Sequence, residues 1–447
     1  MLTVNYSTNG EGKLGIKFSL KSLNAPAVKG EENFINRFAN QLISYNEYVA
    51  LKGTVKFIGV TDRFKDVIDT FKVAEGETPA GFRVESVLEN EGLLKVDLVR
   101  DIGYDKNGMK RPTKEVFSAD SANPYEIEPI SGLLGNLTCN PGIVYDLFIN
   151  NPKANIGNKF KTRDEVMAEI GKVLGSGCDI SVELNNPFEQ DFNKILEEAE
   201  RFKEMLSEYR LVVKVPHTGP VNAQNVNELL KGDKKFSLRY DQGTTEDGLR
   251  GHNLALKLRE HGFRINYTLM FEPYQTAMAM QAKPYFINSF IRHRLTQSQT
   301  IQKCLELFKI TGETTYIEDL RSMFIKMDYI NKNEGNKDLL EVKKLGEDII
   351  KYRKFDTAEG SDGLDGVRHN LRMLRNNNLP DTRLIVCSME GPNNYPDIDR
   401  LTVEPEFADV IDRLIITAEP SYLAKFTSCN QVVSYQRRFM NAANGQK

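Results

Sequence analysis

The sequence predicts an α/β protein built around a closed (β/α)8 TIM barrel, and three observations carry that expectation. After Pro112, short apolar runs alternate with stretches of helical periodicity, the pattern of a parallel sheet. Eight such runs can be counted: VFSAD (116–120), LGNLT (134–138), ISVEL (180–184), LVVKV (211–215), FRINYTLM (263–270), YFINSF (285–290), RLIVCS (383–388) and RLIIT (413–417). Eight strands suit a closed barrel, although doubly wound sheets also reach that number. Polar residues also recur on one face of several of these strands.

Residues 1–112 have a different rhythm. LTVNYSTNGEGKLGIKFSL alternates apolar and polar residues around Asn9-Gly10, a hairpin signal. YVALKGTVKFIGV and LLKVDLVRDI continue the β-type pattern, with one helix expected at EENFINRFANQLISY. The prediction is a β-rich or α+β accessory domain over 1–112, a barrel over 113–430 and a C-terminal tail over 431–447. Within the barrel, QDFNKILEEAERFKEMLSEY puts Phe192, Ile195, Leu196, Ala199, Phe202, Met205 and Leu206 on one helical stripe. TEDGLRGHNLALKLREHG leads into the fifth strand, with Gly262 placed to end that helix. Residues 296–381 are too long for one crossover; IEDLRSMFIKMDYI and LLEVKKLGEDIIKYRK predict a helical insertion between strands six and seven.

Composition excludes several function classes. Hydrophobic content of 40%, charged content of 27% and a net charge of −3 describe an ordinary soluble globular chain. Basic clusters are not interleaved with aromatics, so no nucleic-acid partner is expected. No apolar run approaches the ~20 residues of a membrane helix, and MLTVNYSTNGEGK lacks a signal-peptide core, so the expected location is cytoplasmic. The five cysteines form no CxxC pair and the five histidines no HExxH, so neither a metal site nor a disulfide framework is expected. Walker A and GxSxG sequences are missing, and GSGCD is followed by a strand rather than a helix. The oligomeric state is left open, a homo-oligomer included.

Period two assigns faces to the strands. Ser118 and Asp120 oppose Phe117 and Ala119; Ser181 and Glu183 oppose Ile180, Val182 and Leu184. Asn266 and Thr268 oppose Ile265, Tyr267, Leu269 and Phe271, and Lys214 opposes Leu211, Val213 and Val215. Alone, Lys214 in RLVVKVPHTGP reads as an edge-strand lysine snorkelling to solvent. In company with Asp120 and Glu183, near the carboxyl ends where barrel enzymes keep their chemistry, it reads as a nucleophile. Apolar walls are expected to lower its pKa and free an amine that forms a Schiff base with a ketone. Asp120 would be the base for carbon–carbon cleavage, and Glu183 opposite Thr268 the relay for imine formation. Asn140 and Asn266 are suited to holding sugar hydroxyls. No cofactor is required beyond the covalent Schiff base on Lys214.

These segments resemble the transaldolases and fructose-6-phosphate aldolases. FSADSANPYEI is similar to the family's first-strand segment, with Asp120 as the acid, and GLLGNLTCNPGIV to its Thr-Thr-Asn-Pro signature, with Cys139 replacing a threonine and Asn140 kept. VVKVPHT resembles the Schiff-base strand, and GFRINYTLMFEPYQTAMAMQAKPYFINSF the fifth and sixth strands, including Asn266, Thr268 and Gln275. The likeness spans roughly 116–427. Glu183 and Phe290 resemble the transaldolase branch rather than the aldolases. The resemblance implies transfer of a dihydroxyacetone-type unit from a ketose or ketose phosphate to an aldehyde, in carbohydrate metabolism of the pentose phosphate type.

Departures from the family pattern bear on the substrate. FIRHR puts His293 where the family has a phosphate-binding arginine, flanked by Arg292 and Arg294, either of which could restore a partial site. CSMEGPNN keeps Ser388 but places Glu390 where a cation belongs, which repels a phosphate. Glu272 stands where the family usually has a small residue. A rival reading takes the barrel as a binding or assembly component without turnover, motivated by the surface that residues 1–112 and 296–381 add.

Overall fold

The structure, a computed structural model, describes residues 4–8, 14–71, 81–104, 110–175, 178–353, 357–388 and 394–445. Eight parallel strands close into a barrel in sequence order: β7 (Val116–Asp120), β8 (Leu134–Cys139), β9 (Asp179–Glu183), β10 (Arg210–Pro216), β11 (Ile265–Met270), β12 (Phe286–Ile291), β13 (Arg383–Ser388) and β14 (Leu414–Ala418), the last pairing with β7. The fold is therefore an α/β barrel of the (β/α)8 type. Helix Phe192–Met205 buries Ile195, Ala199 and Phe202 of the stripe read from sequence, and after helix Thr245–Glu260 Gly262 takes the left-handed φ of +82° expected to end it.

Among the described residues, six strands precede the barrel. β1 (Val4–Thr8), β2 (Leu14–Ser19) and β3 (Leu42–Ser44) form one sheet; β4 (Phe57–Val60), β5 (Phe82–Leu88) and β6 (Leu93–Arg100) form another. β1 and β2 pair antiparallel as the hairpin pattern predicts, while Asn9 and Gly10 lie outside the described residues. Phe18, Phe38, Tyr48, Phe64, Leu94 and Leu98 share one apolar cluster beneath both sheets. Two expectations fail here. The helix expected to run to Tyr45 stops at Phe38, because Leu42–Ser44 pairs with β2 instead. The β-type reading of YVALKG is overturned by a helix over Tyr45–Leu51, opened by a capping box in which Ser44 and Glu47 satisfy each other's backbone N–H.

The barrel interior is layered. Val116, Val212, Phe286, Ile385 and Ile415 make an apolar floor with Ile102 and Tyr285. Above it a hydrogen-bonded band runs across five strands: Thr417 and Asn136 both reach Ser118 at 2.8 Å, Ser181 donates to Asn136 at 3.3 Å, and Asn266 donates to Ser181 at 3.1 Å. Beneath the floor, buried Asp179 accepts from Arg100 and Arg210, each at 2.6 Å. Arg100 ends β6, so the N-terminal segment stoppers the amino end of the barrel. Thus the charges at the other end have a polar platform to stand on.

Leu269 departs from its expected face. β11 bulges between Tyr267 and Met270, Leu269 adopts a φ of +60°, and its side chain is 38% exposed rather than packed. The insertion is helical as expected: His293–Thr311, Thr315–Lys326 and Leu339–Arg353 enclose a core of Ile301, Leu320, Phe324 and Val342. The helix Asp365–Arg375 then returns to pack on β12 and β13. After β14 the chain ends in the helix Asn430–Ala443, which buries no residue. No helix among the described residues is long and apolar enough to cross a membrane.

Candidate active site

Lys214 stands in cross-strand register with Glu183 on one side and Asn266 on the other. Its Nζ lies 3.2 Å from Glu183 Oε2, with the two side chains only 5% and 13% exposed. Local packing fixes this pair from behind. A side chain at Gly251 would place its Cβ 2.3 Å from the carbonyl oxygen of Pro216, so the helix Thr245–Glu260 lies directly on the end of the lysine strand. Arg163, itself buried, donates to the Glu183 carbonyl at 3.0 Å and pairs with Glu198 at 2.5 Å. Sequence reading missed Arg163 and Glu198, because their partner is a main-chain atom no motif encodes.

Asp120 ends β7 on the same interior face. Burial drives its carboxyl up to about 6, against the pull of Lys214 and with the push of Glu419 and Glu183. One of its oxygens is buried without a hydrogen-bond partner, as is the hydroxyl of Thr268. A cavity of about 240 Å³ reaches Asp120, lined also by Asn123 and Glu419.

The expected fall in the Lys214 pKa does not occur. Burial pushes the ammonium down, but Glu183 and then Asp120 outweigh it, and the net shift is upward. Apolar walls were only half of the environment. At rest the lysine is charged, so its proton must leave before it can attack a carbonyl, and Glu183 is the carboxylate in contact with it. Burial raises the nearby thiols, Cys139 to about 12 and Cys387 further, so both stay protonated at neutral pH.

The remaining predicted residues divide. Asn266 donates to Ser181, leaving its buried oxygen without a partner. Asn140 spends its side-chain oxygen on the backbone N–H of Ile143 at 3.0 Å. Phe290 stacks on Phe271 with ring centres 4.5 Å apart, and His293 tilts against the same ring at 5.0 Å. Gln275 accepts from the N–H groups of Phe271 and Glu272 at 2.7 and 2.8 Å, bracing the exit of β11. Arg292 takes a φ of +65° at the turn into the helix that begins at His293. Ser388 closes β13, and Glu390 lies outside the described residues.

Arg294 is drawn into an internal ion cluster instead of being left to a ligand. Its Nε sits 2.8 Å from Glu272 Oε2, an ion pair without hydrogen-bond alignment, and its guanidinium also contacts Asp365. Glu272 Oε1 accepts from Arg353 at 2.9 Å, and Arg353 donates further to Gln297 and Tyr329. Glu272, on the loop after β11, thereby ties the helical insertion to the mouth of the barrel.

Fold and site together define an α/β barrel that gathers a lysine and two carboxylates toward the carboxyl ends of its strands. Residues 117–306, under half of the 447-residue chain, match the family model of transaldolase/fructose-6-phosphate aldolase. That match takes in Asp120, Glu183, Lys214 and Thr268 and supports a general transaldolase-like function. No curated protein matches the chain.

The pH dependence of Asp120 follows from its raised pKa. A carboxyl harder to ionise in the fold than in the unfolded chain destabilises the fold once it is charged. Asp120→Asn should therefore stabilise the protein by up to about 3 kcal/mol above pH 6 and by nothing below its unfolded value of about 3.9. Urea midpoints at pH 8 and pH 4 check this; a variant no more stable than wild type at pH 8 would contradict it.

Proposed function

We propose that this protein is a Schiff-base enzyme that cleaves a ketose and transfers or releases a dihydroxyacetone-type unit. The observation that carries the reading is the buried Lys214–Glu183 pair on one interior face with Asp120. Glu183 accepts the ammonium proton, and the neutral amine adds to the ketone carbon to give a carbinolamine. A proton delivered by Glu183, with Thr268 as hydrogen-bonding neighbour, lets water leave and the iminium form. Asp120 takes the proton of the hydroxyl on the far side of the scissile bond. That bond breaks, its electrons pass into the iminium, and an aldehyde departs from a lysine-bound enamine. An acceptor aldehyde reverses these steps to form a new ketose, or protonation and hydrolysis release dihydroxyacetone.

A donor without phosphate is part of the proposal. His293 replaces the arginine expected after β12, and Glu272 and Asp365 together neutralise Arg294 and Arg353 at the mouth. Each missing charge-assisted contact to a phosphate is worth about 1.5–3 kcal/mol, tenfold or more in kcat/KM. An unphosphorylated ketose such as fructose should therefore be cleaved at least as well as fructose 6-phosphate when aldehyde release is followed. Efficient turnover of the phosphate ester alone would refute the substrate half of this reading. The absence of turnover across both classes would refute the whole.

A further inference from the structure

The closed end of the barrel carries more positive charge than its own carboxylates balance. Asp179 already serves Arg100 and Arg210, and Arg264 lies close enough for all three guanidiniums to act on that one carboxylate. Among the described residues, Arg264 gives its Nε and one terminal nitrogen to the carbonyl of Leu211, at 3.2 and 3.0 Å. Burial and the neighbouring Arg100 hold it down to about 9, so its charge is poorly compensated.

Two of these groups, Arg100 and Arg264, line a cavity of about 470 Å³ outside the barrel floor. Arg100, Arg264 and Tyr285 line its inner part, Arg259 and Lys283 are exposed at its rim, and Asp381 is the one carboxylate among its described lining residues. Arg100 has a side chain only 9% exposed and its guanidinium lies 3.6 Å over the Tyr285 ring, yet among the described residues its Nε and one terminal nitrogen have no hydrogen-bond partner, nor does the hydroxyl of Tyr285. Buried donors left without a hydrogen bond are costly, and an oxyanion beside Arg100, Tyr285 and Arg264 would offset that cost. The rim adds two further cations where an approaching anion would first meet the protein.

We propose that this cavity binds a small phosphorylated metabolite through its phosphate oxygens, at a site separate from Lys214 and on the opposite end of the barrel. Arg100, Arg264 and Tyr285 donate to the phosphate, Arg259 and Lys283 neutralise its second charge, and Asp381 orients against a bulky anionic tail. The proposal does not depend on the reaction assigned to the mouth of the barrel.

Calorimetric titration with inorganic pyrophosphate tests it on the intact chain. One site per chain is expected, weakening as salt rises, and weakened at least tenfold by Arg259→Gln or Lys283→Gln, about 1.4 kcal/mol each. Both substitutions are at exposed positions, so the fold is expected to tolerate them. Lys214→Met should bind pyrophosphate as the wild type does. Folded wild type that takes up no pyrophosphate at millimolar concentration overturns the proposal, as does binding that survives the rim variants or disappears with Lys214→Met.

Discussion

Asp120→Asn is expected to lose carbon–carbon cleavage by about 10²–10⁴-fold while still forming a reducible imine at Lys214. In the proposed mechanism the two carboxylates have separate work because they occupy separate positions. Glu183 touches the ammonium at 3.2 Å, whereas Asp120 influences it without an ion-pair contact and keeps a buried oxygen unpartnered. Its carboxyl near 6 is close to the value that suits a base working at neutral pH. Glu183→Gln removes the group that unloads the lysine, so imine formation itself should slow by a similar factor. Rapid-quench trapping followed by mass spectrometry, run beside a cleavage assay, separates the two steps. Equal loss of both steps in both variants would show that the division of roles is wrong.

Asp179→Asn is expected to cost about 3–5 kcal/mol of stability. Asp179 is fully buried and answers Arg100 and Arg210, so its removal leaves guanidiniums packed together without a counter-charge. Burial opposes its ionisation, but the arginines outweigh that and hold its pKa below the ordinary carboxylate value. A depressed folded pKa means this stabilisation is present above the unfolded value of about 3.9 and is lost as pH falls through the folded one. The urea midpoint at neutral pH measures the effect. A loss under about 1 kcal/mol would place the cluster in the class of solvent-screened surface pairs.

Much of the barrel was legible because its signals are local. Each of the eight strands lies within two residues of its predicted run, and alternation placed Asp120, Ser181, Glu183, Lys214 and Asn266 on the interior face they occupy. Where alternation failed, at Leu269, a bulge had shifted the register, and no residue type announces a bulge. The β-type reading of YVALKG took no account of the Ser-x-x-Glu capping box of Ser44 and Glu47 that opens the helix there. What stayed hidden joins residues distant in the chain. Arg100 meets Asp179 across 79 positions, and Glu272 meets Arg353 across 81. The charge of Lys214 was misjudged for a related reason: its burial can be read from one strand, but the carboxylates that outweigh burial come from two others.

Borohydride trapping tests the central claim most directly. The folded protein is incubated with a panel of phosphorylated and unphosphorylated ketoses, reduced, digested and analysed by mass spectrometry. The mechanism predicts a secondary amine on Lys214, carrying the reduced donor or its dihydroxyacetone fragment, and no adduct in Lys214→Met. A protein that remains folded and shows no adduct at Lys214 with any donor, or carries its adduct on another lysine, would contradict it.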